Sequence, residues 1–256
     1  MALNPVFPTW TAQRVWVIGA SYGIGAAIAR QLLAAGARVA LSARKRELLD
    51  EIADGSHTLV LPLDVVDPAT VRDAAAQIKA AWGGFDLALI VAGTHVEMRA
   101  QDWNLARARN LLEVNLIGVL NCLDAILPQL LQQGRGGVGI VSSVAGYVGL
   151  PKALIYGASK AALINLAESL YGDLHPHGMG VYLINPGFVD TPLTQKNEFK
   201  MPALISADAA ARETLAGLAA GRFEIHYPKR FTRWLKLLRV LPYPLQFWAV
   251  RKVTGL

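Results

Sequence analysis

The strongest constraint on the fold lies near the N-terminus, where a short apolar run leads directly into a glycine-rich segment. Residues 14–18 are rich in β-branched and aromatic side chains, which predicts a buried strand. The segment 19–25 holds three glycines, and apolar residues then recur at helical spacing as far as Leu33, before Gly36 and a second apolar run at 39–41. A strand, a glycine turn, a helix and a second strand form a βαβ unit whose helix N-terminus faces a phosphate group. The chain is therefore expected to build a parallel sheet and to bind a dinucleotide.

A second pattern concerns Tyr156 and Lys160, which stand four residues apart, with Ser143 thirteen residues before the tyrosine. Positions four apart share one face of a helix, so an ammonium group can lie beside a phenol. A nearby positive charge lowers a tyrosine pKa from its usual value of about 10. A tyrosine in that state exchanges protons near neutral pH, and a serine hydroxyl beside it holds a substrate oxygen. The pattern indicates proton transfer at an oxygen atom.

Taken in chain order, these motifs resemble those of one known family. The motifs are Gly19, Gly23 and Gly25, then Asn115, Ser143, Tyr156 with Lys160, and Pro186 with Gly187. They resemble the short-chain dehydrogenase/reductase family in order and in spacing, from about residue 14 to residue 193. The resemblance implies an α/β fold, a single Rossmann-type domain with a doubly wound parallel sheet. It also implies an NAD(P)-dependent oxidoreductase that passes hydride between a nicotinamide and a carbonyl carbon.

The resemblance gives four residues a catalytic role. Tyr156 is expected to be the general acid during carbonyl reduction and the general base in the reverse direction. Lys160 is expected to lower the tyrosine pKa and to bind the nicotinamide ribose, while Ser143 bonds the substrate oxygen. Asn115 is expected to hold a water that links Lys160 to bulk solvent. In isolation, Asn115 would be interpreted as a helix residue that bonds locally.

The resemblance also predicts where the cofactor binds. Asp64 is expected to contact the adenine, the backbone of Ala92 and Gly93 to pass the adenine ribose, and Thr191 to lie near the nicotinamide carboxamide. An aspartate before a loop is by itself more often a cap. The predicted cofactor contacts are Gly19, Ser21, Tyr22, Gly23, Ile24, Gly25, Ser42, Arg44, Asp64, Val65, Ala92, Gly93, Tyr156, Lys160, Pro186, Gly187, Val189 and Thr191. No metal site is predicted.

Two positions depart from the family pattern. Ile18 stands where a threonine is usual, and Val91 where an asparagine is usual. Those polar side chains tie two neighbouring strands together, and losing one partner alone would leave a buried polar group at a cost of about 1–3 kcal/mol. Because both residues are aliphatic here, we expect an apolar contact to replace the polar one.

The end of the second strand bears on the choice of cofactor. An acid at this point bonds the ribose 2′-hydroxyl in NAD-preferring members, whereas residues 41–46 read Leu-Ser-Ala-Arg-Lys-Arg. Ser42 and Arg44 are therefore expected to bind a 2′-phosphate. The sequence favours NADP(H), with NAD(H) as the alternative. The competing interpretation of this segment is a solvated basic turn.

Length and cysteine content bound the organisation of the chain. The 256 residues suit one α/β domain, which we expect at 1–227 with a lid at about 192–206, followed by a C-terminal segment at 228–256. The one cysteine, Cys122, lies in an apolar helical pattern, which predicts a core thiol and a reducing compartment. The N-terminus shows no signal-peptide pattern, and no uninterrupted apolar run reaches the roughly 18 residues that span a bilayer. A cytoplasmic protein is expected.

The net charge of +6 is concentrated in the C-terminal segment. Residues 228–256 hold seven basic residues and no acidic one, which leaves 18 basic against 19 acidic residues in the rest of the chain. Between Lys229 and Leu241, basic and apolar residues occupy opposite faces of a predicted helix, which Pro242 and Pro244 end before a second short helix at 245–252. This basic amphipathic extension is typical of a helix that lies at the surface of an anionic membrane. The protein would then be a peripheral protein on the inner face of that membrane. The alternative is packing on the body or on another subunit.

The sequence constrains the partners and the substrate of the protein less than it constrains the fold and the site. The body offers no basic patch, so nucleic acid is not an expected partner, whereas the family implies a homodimer or homotetramer. Apolar residues of the lid and of the segment after Ser143 predict a mainly hydrophobic pocket and a lipid-like carbonyl or secondary alcohol as substrate. These residues are Tyr147, Val148, Leu150, Leu193, Phe199, Met201 and Leu204. The alternative function is a nucleotide-binding regulatory or membrane-surface scaffold protein without turnover.

Overall fold

A computed structural model describes residues 2–195 and 201–254 of the chain. Seven parallel strands form one sheet in the order β3-β2-β1-β4-β5-β6-β9, and β7 and β8 form a separate parallel pair. The strands are β1 Arg14–Ile18, β2 Arg38–Ser42, β3 Thr58–Val60, β4 Leu87–Ile90, β5 Gly137–Val141, β6 Gly180–Pro186, β7 Val189–Asp190, β8 Ile205–Ser206 and β9 Glu224–Tyr227. The helices are α1 Gly23–Ala34, α2 Arg46–Asp50, α3 Pro68–Trp82, α4 Leu105–Leu112, α5 Gly118–Gln133, α6 Leu154–Leu174, α7 Ala207–Ala219, α8 Lys229–Arg239 and α9 Tyr243–Thr254. The predicted α/β fold with a doubly wound parallel sheet is confirmed.

Both faces of the sheet are buried, which explains why its strands are almost continuously apolar. Successive side chains of a strand point to opposite faces. In β1, Trp16 and Ile18 accordingly pack into one core, and Val15 and Val17 into the other. The thiol of Cys122 is fully buried in the first of these cores, as the sequence predicts.

The expected apolar contact between Ile18 and Val91 is wrong. Ile18 packs in the core that holds Trp16, whereas Val91 packs against the core on the opposite face of the sheet. The two residues are instead joined through their backbones, since the Val91 amide donates to the Ile18 carbonyl over 2.8 Å. The two side chains therefore lie in different cores, on opposite faces of the sheet.

The order of the strands reverses between β1 and β4, because β2 lies on one side of β1 and β4 on the other. In open α/β sheets the ligand crevice lies at such a switch point, beyond the carboxyl ends of the strands. Gly19 follows β1 here with φ +99°, and a Cβ at this position would lie 2.5 Å from the Ala92 amide nitrogen, just beyond β4. Only glycine permits so close an approach of the two loops.

One helical stretch, from Leu105 to Gln133, is long and apolar enough to cross a membrane by length and composition. It comprises α4, a π-helical segment at Glu113–Ile117, and α5. Part of its surface is buried, and α5 contributes Val119, Leu123 and Ile126 to the hydrophobic core. The stretch is packed as the core helix of an α/β domain.

The C-terminal helices pack on the body along one face, which is the packing alternative left open by the sequence. Leu235 and Leu238 of α8 belong to the same core as the sheet. Gly187 leaves room for α8, because a Cβ there would lie 3.1 Å from the Phe231 ring. The second helix begins at Tyr243 rather than at residue 245, because a proline is tolerated in a first helical turn.

Candidate active site

The four predicted catalytic residues meet beyond the carboxyl ends of β4 and β5. Ser143 follows β5 and begins a short 3₁₀ turn, and its hydroxyl accepts from the Ala145 amide over 3.1 Å. Tyr156 and Lys160 lie on α6, one turn apart. Asn115 lies in the π-helical segment between α4 and α5, a departure from regular helix that is frequent at functional sites. A Cβ on Gly93 would lie 3.4 Å from the Asn115 Oδ1 and 3.5 Å from the Lys160 Nζ, which brings the loop after β4 into the same place.

Lys160 is buried, with only 4% of its surface exposed. Its Nζ donates to the Val141 carbonyl at the end of β5 over 3.0 Å and lies 5.8 Å from the centre of the Tyr156 ring. Burial penalises the ammonium form and lowers the pKa of Lys160 to about 8. The Lys160 amine therefore exchanges its proton close to neutral pH.

The expected lowering of the Tyr156 pKa by Lys160 is not what the structure shows. Burial of the phenol raises the Tyr156 pKa, and hydrogen bonding to Ser143 opposes that rise. The spacing of four residues does bring the two side chains together. The Lys160 ammonium, however, donates to the Val141 carbonyl, and desolvation is the largest influence on the pKa of the phenol.

Asn115 is fully buried and bonds over a long sequence distance, so the local interpretation of this residue is wrong. Its Oδ1 accepts from the Thr94 amide over 2.7 Å, and its Nδ2 donates to the Thr94 carbonyl over 2.9 Å and to the Ser159 hydroxyl over 3.3 Å. The carboxamide thereby fixes the backbone beyond Gly93. Its role in a water relay stays a prediction.

His95 lies in the loop after β4 and packs against Tyr156. The two rings are 4.7 Å apart, centre to centre, at an angle of 90°. Burial lowers the pKa of His95, with Glu97 opposing this, so the imidazole is neutral at pH 7. Only the position of His95 two residues after Gly93 hinted at this contact in the sequence.

The glycine turn after β1 fits the pyrophosphate of a dinucleotide. A Cβ on Gly25 would lie 2.1 Å from the Gly19 carbonyl oxygen, so the turn closes only with glycine at this position. Tyr22 precedes α1 without a side-chain cap, and the first turn of α1 carries no acid. The amides of this turn are consequently available to an anion, with Ser21 and Ile24 in the same turn.

The loop after β6 closes over this turn from the other side. Gly23 has φ +60°, and a Cβ at Gly23 would lie 3.0 Å from the Thr191 methyl group. The Pro186 carbonyl accepts from the Ser143 hydroxyl over 3.4 Å. The loop that carries Pro186, Gly187, Val189 and Thr191 is therefore joined to both the glycine turn and the catalytic serine.

The predicted contact of Ser42 with a 2′-phosphate does not fit the structure. The Ser42 side chain is fully buried, and its hydroxyl accepts from the Trp16 indole over 2.9 Å. Arg44 and Lys45 are exposed directly beyond it. The basic surface beyond the end of β2 is made by Arg44, Lys45 and the equally exposed Arg46.

Asp64 is partly buried where the chain leaves β3, next to the buried Val65. Its Oδ1 accepts from the Val66 amide over 3.1 Å, and its own amide donates to the Thr70 hydroxyl over 3.2 Å. The carboxylate is thereby fixed in a turn.

The predicted apolar pocket is only partly supported. Tyr147 and Val148 belong to the buried core, and Phe199 lies outside the described residues. The Tyr147 hydroxyl donates to Glu224 of β9, which also accepts from Lys236 of α8 and, over 2.9 Å, from the Asn185 amide. Tyr147 therefore links the segment after Ser143 to the C-terminal helix. Leu150, Leu193, Met201 and Leu204 keep some exposure.

Comparison with known proteins places these features in a family. A family model described as short chain dehydrogenase matches residues 13–201. An uncharacterized oxidoreductase from Myxococcus xanthus (strain DK1622) is 34% identical over 242 residues, which cover 93% of this chain and 96% of the relative. An uncharacterized oxidoreductase from Staphylococcus epidermidis (strain ATCC 12228 / FDA PCI 1200) is 35% identical over 199 residues, covering 75% of this chain and 86% of the relative.

The solved structures that are similar to this chain include complexes with NADP and with NAD. A short chain dehydrogenase from Burkholderia cenocepacia J2315, in complex with NADP, is 28% identical with a TM-score of 0.79, over 90% of this chain and 93% of that one. A short chain dehydrogenase/reductase from Burkholderia phymatum, in complex with NAD, has a TM-score of 0.82 over 89% of this chain and 93% of that one. At 24% identity, the second shows the fold alone.

Proposed function

This chain belongs to the short-chain dehydrogenase/reductase family and is an oxidoreductase of that family. On this premise we propose that it uses NADP(H) to reduce a mainly hydrophobic, lipid-like carbonyl or to oxidise the corresponding secondary alcohol. The observation that carries the proposal is the meeting of Ser143, Tyr156 and Lys160 beyond β5, beside a glycine turn that admits a pyrophosphate.

Tyr156 is the proposed proton donor in the reduction. Bound NADPH would supply the hydride to the carbonyl carbon. The Tyr156 hydroxyl then gives its proton to the carbonyl oxygen, while the Ser143 hydroxyl donates a hydrogen bond to that oxygen and orients it. The raised pKa of the partly buried tyrosine keeps the phenol protonated at neutral pH, as the acid role requires.

Lys160 is the proposed group that returns a proton to Tyr156. A Lys160 pKa of about 8 lets the amine gain and lose a proton in the working pH range, and its Nζ is 5.8 Å from the phenol ring. Asn115 fixes the loop after Gly93 and, in this proposal, completes the path to solvent.

Preference for NADP(H) over NAD(H) is proposed from the end of β2. Arg44 and Lys45 are exposed there, and residues 41–46 contain no acid that would repel a 2′-phosphate. Asp64 and the backbone of Val65, Ala92 and Gly93 would hold the adenosine half.

Assembly and location form part of the same proposal. A homodimer or homotetramer is proposed from the family. It is consistent with exposed apolar residues on the helical stretch that precedes β5, among them Leu105, Leu120 and Leu131. A cytoplasmic location is proposed because the one cysteine is a buried free thiol.

The test is NADPH oxidation with ketones and aldehydes of graded chain length, with Tyr156→Phe as the control. Turnover that rises with chain length and falls about 10²–10⁴-fold in the variant supports the proposal, provided that NADPH binding is retained. NADPH binding without turnover on any carbonyl would favour the non-catalytic alternative, and equal turnover by the variant would remove Tyr156 from the mechanism.

A further inference from the structure

The outward side of the two C-terminal helices is apolar and aromatic, and its large side chains are exposed to solvent in the described structure. Residues of this outward surface, here called the tail face, are Trp234, Leu237, Val240, Tyr243, Leu245, Phe247 and Trp248, with the cations Arg230, Arg233, Arg251 and Lys252 among them. We propose that the tail face binds the surface of an anionic lipid bilayer. This proposal does not depend on the proposed catalytic activity.

Exposure separates the tail face from the packed face of the same helices. Leu235 and Leu238 of α8 are 5% and 4% exposed, whereas Trp234 and Leu237 are 49% and 58% exposed. Packing on the body therefore accounts for one face only. The apolar side chains of the other face need a different environment, since contiguous exposed apolar patches mark interaction sites.

In α9 the same division repeats, with aromatic residues on the outer side. Phe247 and Trp248 are 59% and 61% exposed, whereas Ala249 and Val250 are 7% and 9% exposed. The Tyr243 and Phe247 rings stack 5.6 Å apart, and the Lys252 ammonium lies 5.1 Å from the centre of the Trp248 ring. Tryptophan and tyrosine favour the boundary between lipid headgroups and acyl chains, where an apolar ring and a polar tip are both accommodated.

Charge decides between a bilayer and a second copy of the chain as the partner. Residues 228–256 carry seven basic residues and no acid. A two-fold contact would bring this surface against itself, so like charges would face each other. An anionic lipid surface is complementary instead, and each basic side chain near it adds roughly fivefold to partitioning.

The tail face borders a cleft that it forms with the chain segment between Ser143 and Tyr156. Phe247 and Arg251 line a cleft of about 450 Å³ together with Gly149, Leu150 and Pro151, which lie between Ser143 and Tyr156 in the chain. On the neighbouring helix, Phe231 lies 5.7 Å, ring to ring, from Phe188 in the loop after β6. Binding to a bilayer would bring the lipid surface close to this cleft.

The experiment is co-sedimentation of the full-length protein with vesicles of phosphatidylcholine alone and with 30 mol% phosphatidylglycerol. We expect binding to the anionic vesicles, weakened by salt, and little binding to the neutral ones. Two double variants test the tail face, Phe247→Ala with Trp248→Ala and Arg230→Gln with Arg233→Gln. The charge variant is expected to bind roughly 25-fold more weakly at low salt.

Matched controls use exposed residues outside the tail face. Trp103→Ala with Val6→Ala removes exposed apolar surface elsewhere, and Arg30→Gln with Arg38→Gln removes the same charge. Both controls are expected to bind like the parent protein. Equal losses in the controls, binding that ignores lipid charge, or tail variants that change only the oligomeric state in light scattering would overturn the proposal.

Discussion

The imidazole of His95 stands edge-on to the phenol of Tyr156, with the ring centres 4.7 Å apart. His95 is neutral at pH 7, because burial lowers its pKa, and it places no positive charge beside the tyrosine. Burial is also the largest influence on Tyr156 and raises its pKa. The histidine ring is part of the surface that keeps water from the phenol.

Replacing His95 by alanine is therefore expected to admit water to Tyr156 and to lower the tyrosine pKa. In alcohol oxidation, where Tyr156 acts as a base, the rising limb of the pH profile should move to lower pH, by about 1 unit at most. The measurement is kcat/KM against pH. His95→Phe keeps an edge contact and should restore the original profile. An unchanged profile in His95→Ala would show that the ring contact does not set the pKa.

The end of β2 allows a test of cofactor choice. Ala43→Asp places an acid beside Arg44 and is expected to lower the ratio of kcat/KM for NADPH to that for NADH by about tenfold or more, because a carboxylate repels a 2′-phosphate. Ala80→Asp adds the same charge on the exposed surface of α3 and should leave the ratio unchanged. The hypothesis fails if the ratio is equal in both variants.

Lys160 should impose a pH-dependent cost on stability. Burial lowers its pKa to about 8 in the folded chain, against 10.5 as the ordinary value. Below about pH 8 the amine is charged in both states, and the folded state bears the full cost. Between about pH 8 and pH 10.5 the unfolded state binds more protons, so stability rises with pH by up to about 1.4 kcal/mol per unit.

The cost is best measured by comparing the wild type with Lys160→Met, both without cofactor, in urea unfolding at pH 7, 8, 9 and 10. The wild type should gain about 2 kcal/mol relative to the variant between pH 8 and pH 10. Other titrating groups cancel in the difference. A difference that stays constant with pH would show that the amine keeps an ordinary pKa.

Glu224 is expected to hold α8 on the body. Its carboxylate accepts hydrogen bonds from Tyr147, Asn185 and Lys236. Burial is the largest single influence and raises the pKa of Glu224, but these bonds and the Lys236 charge together outweigh it and lower the pKa. Glu224→Gln should reduce the free energy of unfolding by about 2 kcal/mol, because a partly buried ion pair loses one charge. It should also speed amide hydrogen exchange in α8.

The matched control is Glu213→Gln, since Glu213 also pairs with a lysine of α8. That pair joins Lys229 to Glu213 over 3.8 Å, with both side chains about half exposed. Exposed pairs contribute about 0–1 kcal/mol, so little change is expected in stability or in exchange. Similar effects of the two substitutions would contradict the central role of Glu224.

The sequence predicted the fold and the positions that meet at the site, because glycine turns and residues one helical turn apart depend on local geometry. It failed where side-chain direction depends on tertiary packing. Ser42 was expected to face the cofactor. Because the end of β2 is apolar on both faces, the alternation of side chains along the strand could not show that the Ser42 hydroxyl accepts a hydrogen bond from the Trp16 indole. For Lys160, the spacing could not show that a long side chain ends at the Val141 carbonyl.

The same limit applies to two residues whose contacts are distant in sequence. Tyr147 follows Ser143 by four residues, and only the 3₁₀ turn between them aims its phenol at β9 instead of at a substrate. Asn115 bonds Thr94, which is 21 residues away, from a π-helical segment that no hydrophobic periodicity marks. These contacts require the assembled fold.

The pairing of β7 with β8 separates the positions of the catalytic residues from the length of the chain between these two strands. Val189 pairs with Ile205, and Asp190 with Ser206, so the two ends of the intervening chain are held one strand spacing apart. Closing a loop of twice the length costs only about 0.6 kcal/mol more. Insertions and deletions between residues 191 and 204 can therefore accumulate during evolution without moving Ser143, Tyr156 or Lys160.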